Sequence, residues 1–271
     1  VALGVPQSLN DSIAITTLEG AKQSIAMGPL AAQSAIMQIG SNGGGYFAAN
    51  LAHPLVNPTI WTHLLYLFTM LWLPASFLWV FGIFIADKRQ SVMLLALMSI
   101  IALILIYIAM WQEGTGPSYV NETHLHIDTQ AGNMTGKEQR FGSDSSALWM
   151  IISTLQAQGS SSSAYESMMP LTVLMALISM SLGGILFGGI GTSLVSLVSV
   201  LIMVVFMASL MVGRTPEYIG KKLGRMEIKL AMLVMIIPVI LILLGTALTV
   251  MLPSAKLAMT HIGTQGITEL L

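Results

Sequence analysis

The chain has 271 residues, of which 55% are hydrophobic and 8% are charged, and its mean hydropathy is +0.80. About a quarter of the residues of an ordinary soluble domain are charged, so this composition predicts a polytopic membrane protein. The formal net charge of -1 gives no bulk attraction to nucleic acid, and the absence of cysteine excludes disulfides and thiolate metal sites. A start at Val1, without initiator Met or signal peptide, suggests a piece of a longer polypeptide.

The first predicted element is a short apolar helix over 29–39, with Pro29 at its first position. A glycine-rich loop, Gly40–Phe47, follows it. Consecutive glycines accept φ angles that other residues avoid, so their carbonyls can turn to one side and replace the water shell of a potassium ion. This loop therefore predicts an ion-selective re-entrant segment. Its candidate ion-binding residues are Ser41, Asn42, Gly43 and Gly44.

Four long apolar runs predict the membrane spans, since one crossing needs about 20 apolar residues. Three of them have the right length for a single crossing. The runs are Ile60–Ile85, Ser91–Gln112, Pro170–Gly213 and Ile228–Leu252.

Lysine and arginine predict how these spans are oriented. Lys88 and Arg89 lie in one short connection, and Arg214, Lys221, Lys222, Arg225 and Lys229 lie in or beside another. Short loops rich in basic residues stay on the cytoplasmic side, so both connections are predicted to be cytoplasmic. The polar stretch 113–146 and both chain ends then face outward.

A second short helix is predicted over Ala147–Leu155, with Ser143 and Asp144 available as caps. A polar loop with a run of four serines follows it. By analogy with the first loop, it is a candidate filter, although a plain outer loop is the alternative. Its candidate ion-binding residues are Gln158, Gly159, Ser160 and Ser161.

The run Pro170–Gly213 is too long for one straight crossing. As a continuous helix it would extend about 66 Å, at roughly 1.5 Å per residue, against a hydrocarbon core of about 30 Å. Topology requires an odd number of crossings, so one crossing with a glycine-rich interruption over 183–193 is predicted. The alternative is close helix packing through a G-x-x-x-G pair. The interruption is a candidate gate, formed by Gly183, Gly184, Gly188, Gly189 and Gly191.

The order of short helix, polar loop and long span occurs twice, which indicates a weak internal repeat. Gly20-Ala21-Lys22-Gln23 precedes the first copy and Gly136-Lys137-Glu138-Gln139 precedes the second. Such repeats suggest pseudo-symmetry around a shared path. Each short helix would direct its partially negative C-terminal end toward the membrane centre, where it favours a cation.

Several blocks of sequence resemble the potassium-binding A subunit of the Kdp-type potassium-transporting ATPase. They are spread over the whole chain. The blocks are Gly28–Ile36, Gly40–Phe47, Ala52-His53-Pro54 with Asn57-Pro58, Gly136–Gly142 and Val212–Lys222.

The resemblance implies an all-α polytopic membrane protein of the potassium-channel-like superfamily, built from repeated span, pore helix, filter loop and span units. Of four pseudo-repeats, this chain would hold the second and third filters. The division would be 1–90 for the second repeat, 91–225 for the third, and 226–271 for the first span of the fourth. The family's second filter usually has Thr at Ser41 and Phe at Tyr46, and of its usual third-filter residues only Gly159 is kept here.

The resemblance also implies a potassium-binding and translocating subunit of an ATP-driven uptake complex in the prokaryotic inner membrane. Its cargo would be potassium, without an organic cofactor. By the same resemblance, its partners would be an ATP-hydrolysing P-type subunit and small accessory membrane subunits. No ATP-hydrolysing motif occurs in this sequence, so ATP chemistry would belong to another chain. Two alternatives are a stand-alone potassium channel or secondary transporter, and a structural membrane subunit. The candidate partner-docking residues are Arg214, Lys221 and Lys222.

The polar stretch also contains a candidate metal site. His124 and His126, with Glu122 and Asp128, alternate in a pattern that could ligate a metal ion. A solvated outer loop is the favoured interpretation of this segment.

Overall fold

The computed structural model describes residues 1–10, 12–47, 49–116, 132–189 and 191–253. The hypothesis of a metal site at His124 and His126 falls outside these residues. The described part is mostly helical, with no closed sheet, which confirms the all-α polytopic class. Its helices are α1 (Leu30–Ile39), α2 (Ile60–Phe84), α3 (Lys88–Thr115), α4 (Gly142–Leu155), α5 (Pro170–Gly183), α6 (Thr192–Val212) and α7 (Arg225–Met251).

Four helices, α2, α3, α6 and α7, are long and apolar enough to cross a membrane. Helices α2, α3 and α7 match predicted spans with ends that differ by a few residues, whereas α6 is the second part of the predicted run Pro170–Gly213. Local capping explains where two of them start. The Thr59 hydroxyl accepts from the Thr62 backbone N–H in a capping box at the start of α2, and the Asp87 carboxylate accepts from the Arg89 and Gln90 backbone N–H groups at the start of α3.

The chain forms two compact units, Val1–Leu194 and Val195–Leu271. Helix α4 is the centre of the first unit, where it packs against α2, α3 and α5. Trp149, Ile151 and Leu155 of α4 are completely buried. A helix that is buried nearly all round needs protein neighbours rather than lipid on its faces. This burial distinguishes α4 from the four long helices.

The short helices begin at other residues than predicted. Pro29 is the N-cap of α1 rather than its first helical residue, so the helix begins at Leu30. Helix α4 begins at Gly142, five residues before the predicted start at Ala147, and Phe141 is its N-cap. Ser143 and Asp144 therefore lie in the first turn of α4, and the prediction that they cap it was wrong. Asp144 is still well placed there, because a carboxylate favours a helix N-terminus.

A β-hairpin precedes α1, which the sequence analysis did not predict. Strands β1 (Ser12–Thr16) and β2 (Lys22–Ala26) pair antiparallel and are largely exposed. Lys22 lies on this exposed hairpin, whereas Lys137, its counterpart in the proposed Gly-Lys-Gln repeat, has a fully buried side chain. The two Gly-Lys-Gln segments therefore differ in structure.

The second unit contains most of α6, a small hairpin and α7. Strands β3 (Glu217–Tyr218) and β4 (Lys221–Lys222) pair antiparallel through a two-residue turn at Ile219 and Gly220. Both turn residues have positive φ, 54° and 71°, as a type I′ hairpin turn requires. Within its most hydropathic window, α7 is only 6% buried in the described structure.

Candidate ion-binding site

Both short helices end in the same backbone motif. The Asn42 N–H donates to the Met37 carbonyl at 3.1 Å after α1, and the Gln158 N–H donates to the Ser153 carbonyl at 3.0 Å after α4. Each is the six-to-one bond of a Schellman motif, which requires a residue in the left-handed region just before the donor. That residue is Ser41 in one copy and Ala157 in the other, with φ of 53° and 52°. The two short helices therefore end in the same backbone form, which is independent of their side chains.

The glycines of the two loops also correspond. Gly43 and Gly159 each lie two residues beyond the left-handed Ser41 or Ala157, and their own φ angles are 64° and 76°. Only glycine adopts such angles without a steric penalty. A non-glycine residue with positive φ also lies two positions before each glycine, so the unusual backbone conformations are concentrated at these two loops, as is common at binding sites.

The two loops touch each other, backbone against backbone. A Cβ atom placed on Gly43 would overlap the Gln158 carbonyl oxygen and lie 2.9 Å from the Ser160 backbone nitrogen. Gly43 is therefore a glycine for two reasons, its φ angle and the close approach of the second loop. The repeat predicted that both loops lie along a shared path, and the structure brings them into contact.

Polar side chains cross between the loops. The Gln158 Nε2 group donates to Gln38 Oε1 and, at 3.3 Å, to the Met37 carbonyl. The Gln156 Nε2 group donates to Ser41 Oγ at 2.8 Å. These bonds join residues about 120 positions apart in the sequence. Gln38 and Gln156 were not among the predicted site residues.

The C-terminal ends of α1 and α4 converge at this contact, because Met37 and Gln38 of α1 meet Gln158 of the loop that follows α4. Each helix end carries a partial negative charge of about half an electron from its free carbonyls. Neither last turn contains a basic side chain that would neutralise it. The convergence therefore favours a cation over an anion.

The loop carbonyls divide into two groups. The Ser160 carbonyl accepts from Trp149 Nε1 and from the Tyr165 hydroxyl, and the Ser161 carbonyl accepts from the Leu51 N–H at 3.0 Å. These bonds hold the second loop onto α4 and onto the chain after the first loop. In contrast, no described residue donates to the backbone oxygens of a second group, namely Asn42, Gly43, Gly44, Gln158 and Gly159.

Comparison with known proteins identifies the family of the chain. The family model described as the potassium-transporting ATPase A subunit matches residues 1–271, the whole chain. The chain belongs to this family. The resemblance noted in the sequence is thereby confirmed.

Curated relatives carry the name potassium-transporting ATPase potassium-binding subunit. The Rhodospirillum centenum protein is 41% identical over 99% of this chain and 46% of its own length. The Rhodopseudomonas palustris protein is 40% identical over 99% of this chain and 47% of its own length, and the Herpetosiphon aurantiacus protein is 43% identical over 92% and 44%. The chain thus spans about half the length of the curated relatives that it matches.

The predicted helix interruption is present beside the site. Helix α5 ends at Gly183 and α6 begins at Thr192, so Gly183 itself is helical, as are Thr192 and Ser193 at the other end. A Cβ on Gly183 would lie 2.9 Å from both the Thr154 and Leu155 carbonyl oxygens, at the end of α4. A Cβ on Gly189 would lie 3.8 Å from Ser41 Cβ and 3.9 Å from the Gln156 carbonyl oxygen. The interrupted segment therefore contacts both loops.

The two central glycines of this segment should respond differently to alanine. A Cβ on Gly188 would overlap the Gly183 carbonyl oxygen, whereas on Gly189 its nearest neighbour would be Thr192 Oγ1 at 3.4 Å. We expect Gly188→Ala to lower the unfolding temperature by several degrees, because overpacking costs about 1–3 kcal/mol. Gly189→Ala is the matched control and should change it little. Thermal unfolding of both variants in lipid nanodiscs checks this, and equal effects would contradict the assigned packing.

A second polar cluster, which sequence reasoning missed, holds the first loop region against α4. Arg140 donates to the Asn57 carbonyl at 2.6 Å and to the Ala52 carbonyl at 3.1 Å. The buried His63 ring bonds Asn57 Nδ2 at 3.1 Å and Ser145 Oγ at 2.9 Å. A histidine inside an apolar span was the available signal for this cluster, because buried polar groups need partners.

Nearby, His53 lies in the connection before α2. Burial, and then the neighbouring Arg140 guanidinium, lowers the pKa of His53, while Glu138 opposes the shift. The imidazole is therefore held in its neutral form near pH 7. It stacks on Phe47, the last residue of the glycine-rich loop, with ring centroids 3.9 Å apart.

Proposed function

We propose that the chain is a potassium-binding and translocating membrane subunit of an ATP-driven potassium uptake complex. The observation that supports this most strongly is the contact between the Gly43 and Gly159 loops at the convergent ends of two helices. Several backbone oxygens at this contact accept from no described donor. Membership of a family whose relatives are named potassium-binding subunits supports the identity of the ion.

Backbone carbonyls are the ligands that replace the hydration shell of potassium in selective pores. We assign this role to the carbonyls of Asn42, Gly43, Gly44 and Gly159, to which no described residue donates. Ser41, Gln158, Ser160 and Ser161 complete the predicted site. All four form bonds that hold the loops in position.

We further propose that the segment between α5 and α6 gates the ion path. Gly183 approaches the carbonyls at the end of α4, Gly189 approaches both loops, and Gly191 has a φ of 85° that favours glycine. Together with Gly184 and Gly188, they make this segment easy to rearrange, since glycine restricts the backbone least. Movement of such a segment would open or close the exit from the site.

The proposed partners are an ATP-hydrolysing P-type subunit and small accessory subunits in the prokaryotic inner membrane. Arg214, Lys221 and Lys222 are exposed on or beside the β3–β4 hairpin, where they are the proposed docking residues. A positively charged cytoplasmic loop is also what membrane topology alone requires, so docking needs its own test.

Neutralising the hairpin lysines supplies that test. We expect Lys221→Gln with Lys222→Gln to weaken co-purification of the ATP-hydrolysing subunit by about tenfold, because two charges leave the contact surface. Glu19→Gln, on an exposed turn outside this hairpin, is the control. Normal assembly and uptake by the double variant, with unchanged topology, would remove the docking role.

Potassium binding is tested most directly on the chain in lipid nanodiscs. A ligand that binds the native state raises stability by about 2.7 kcal/mol at a hundred times its dissociation constant, so the unfolding temperature should rise with potassium and much less with sodium or lithium. No cation-dependent rise would overturn the proposal. Potassium flux in liposomes without any partner or ATP would instead support a stand-alone channel.

A further inference from the structure

We propose that Gln38, Gln156 and Gln158 form an amide clamp that sets the spacing of the two loops and thereby the selectivity for potassium over other monovalent cations. The clamp is defined by the three side chains and their bonds to the opposite loop. This inference rests on the proposed function, because it concerns the selectivity of the same site.

All three glutamines are buried. Gln38 and Gln156 have no exposed surface, and Gln158 is 5% exposed. Burial of a side-chain amide costs free energy unless it forms hydrogen bonds, so three such side chains at one contact need a reason. Their hydrogen bonds run from the second loop to the end of α1 or to the first loop, and these bonds offset the cost of burial.

The side chain of Gln158 fixes the position of its own backbone carbonyl. Its carbonyl oxygen packs directly against the Gly43 backbone. Its side chain is tied to Gln38 Oε1 and to the Met37 carbonyl, both at the end of α1. Loss of the side-chain bonds therefore frees the carbonyl that lies closest to the first loop.

Gln156 adds a second tie between the two loops. Its Nε2 group donates to Ser41 Oγ, the side chain of the left-handed residue that begins the first loop. Two ties at positions 156 and 158 fix both the separation of the loops and their relative rotation. A site that discriminates between ions of different radius depends on such fixed spacing, or on the number of ligands that it holds in place.

The clamp also places further ligand-type atoms at the contact. Gln156 Oε1 and Gln158 Oε1 are buried and accept from no described residue, and Gln38 Nε2 is likewise buried without an acceptor there. Buried polar atoms in native proteins nearly always find a partner in protein, water or ion. The two amide oxygens have the chemistry that suits a potassium ion or its water.

Methionine substitutions separate the clamp from general packing, because methionine is unbranched and adaptable and makes no strong hydrogen bond. The variants are Gln38→Met and Gln158→Met, singly and together. Gln33→Met is the matched control, because Gln33 also lies on α1 but is only half-buried. Each is measured in nanodiscs for unfolding temperature without potassium, and for apparent affinity for potassium, rubidium and sodium.

We expect either single variant to weaken potassium affinity about tenfold and to reduce the potassium-to-sodium ratio by a similar factor, since one buried bond is lost and its partner is stranded. The double variant should lose less than the product of the two single losses, because both act on one bond. Ser41→Ala tests the second tie independently, should a glutamine variant fail to fold.

Unchanged affinity and ion ratios in these variants, with a wild type that does bind potassium, would overturn the clamp alone. A uniform loss of affinity for all three cations, with an unchanged ratio, would also overturn it in favour of a purely structural role. A wild type that shows no potassium-dependent stabilisation would instead overturn the proposed function itself.

Discussion

Replacing Gly43 with alanine is expected to lower potassium affinity about a hundredfold. The new methyl group would overlap the Gln158 carbonyl oxygen, and the φ of 64° would add backbone strain. Overpacking costs about 1–3 kcal/mol and the left-handed backbone about 1 kcal/mol more, which together correspond to this factor. The loops must separate to admit the methyl group, so the site loses its spacing. Potassium titration of the variant in nanodiscs measures the effect.

Gly44→Ala is the matched control for this prediction. Gly44 has a similar φ of 78°, but a Cβ there would meet nothing within 4 Å. It therefore carries the backbone strain without the collision, and we expect a loss of about tenfold or less. Gly159→Ala, with φ of 76° and the same open space, should resemble Gly44→Ala. Equal losses in all three variants would show that strain, and not the contact between loops, controls the site.

The membrane spans, the two short helices and the break after α5 could be predicted because each leaves a local mark in the sequence. Apolar runs of sufficient length predict spans, and the cluster of glycines at 183–191 marks the break. The exact starts of α1 and α4 could not be predicted in this way. They depend on tertiary packing, since neither N-cap forms a side-chain hydrogen bond.

The sequence predicted the two loops of the candidate site, but it did not predict that they touch each other. A glycine at position 43 indicates freedom of φ, but nothing local indicates that the Gln158 carbonyl lies against it. Gln38 and Gln156 were overlooked because glutamine near a helix end is ordinary on a surface. Their role depends on burial by a second segment more than 100 residues away in the chain, as the Gln156–Ser41 bond illustrates.

The polar stretch 113–146 is a second place where the local sequence did not reveal a buried contact. It was expected only to face outward, and its first residue, Glu113, has no exposed surface. Its carboxylate forms an ion pair with the Lys137 ammonium at 3.0 Å, and it accepts hydrogen bonds from Asn133 Nδ2 at 2.9 Å and from the Met169 backbone N–H at 2.7 Å. These bonds join the end of α3, the segment before α4 and the start of α5 at one point. Composition alone does not distinguish such a buried ion pair from surface charge.

Removing this carboxylate is expected to destabilise the protein severely. Glu113→Ala leaves the Lys137 ammonium buried without its counter-charge, and breaking a buried pair in this way costs about 3–5 kcal/mol. For a chain of this size, about 1 kcal/mol lowers the unfolding temperature by roughly 2–4 °C, so a fall of about 10 °C is expected. Glu19→Gln, at an exposed turn, is the control and should leave the unfolding temperature unchanged.

The double variant Glu113→Gln with Lys137→Met identifies the cause. Glutamine keeps an oxygen for the Met169 N–H or for Asn133, and methionine removes the buried cation together with its need for a partner. Because replacing both members of a buried pair is often close to neutral, this variant should recover most of the stability that Glu113→Ala loses. Recovery is measured by thermal unfolding in nanodiscs, with and without potassium. If the double variant is no more stable than Glu113→Ala, the loss comes from packing and hydrogen bonds at the junction of α3 and α5, and the stranded Lys137 charge is not its source.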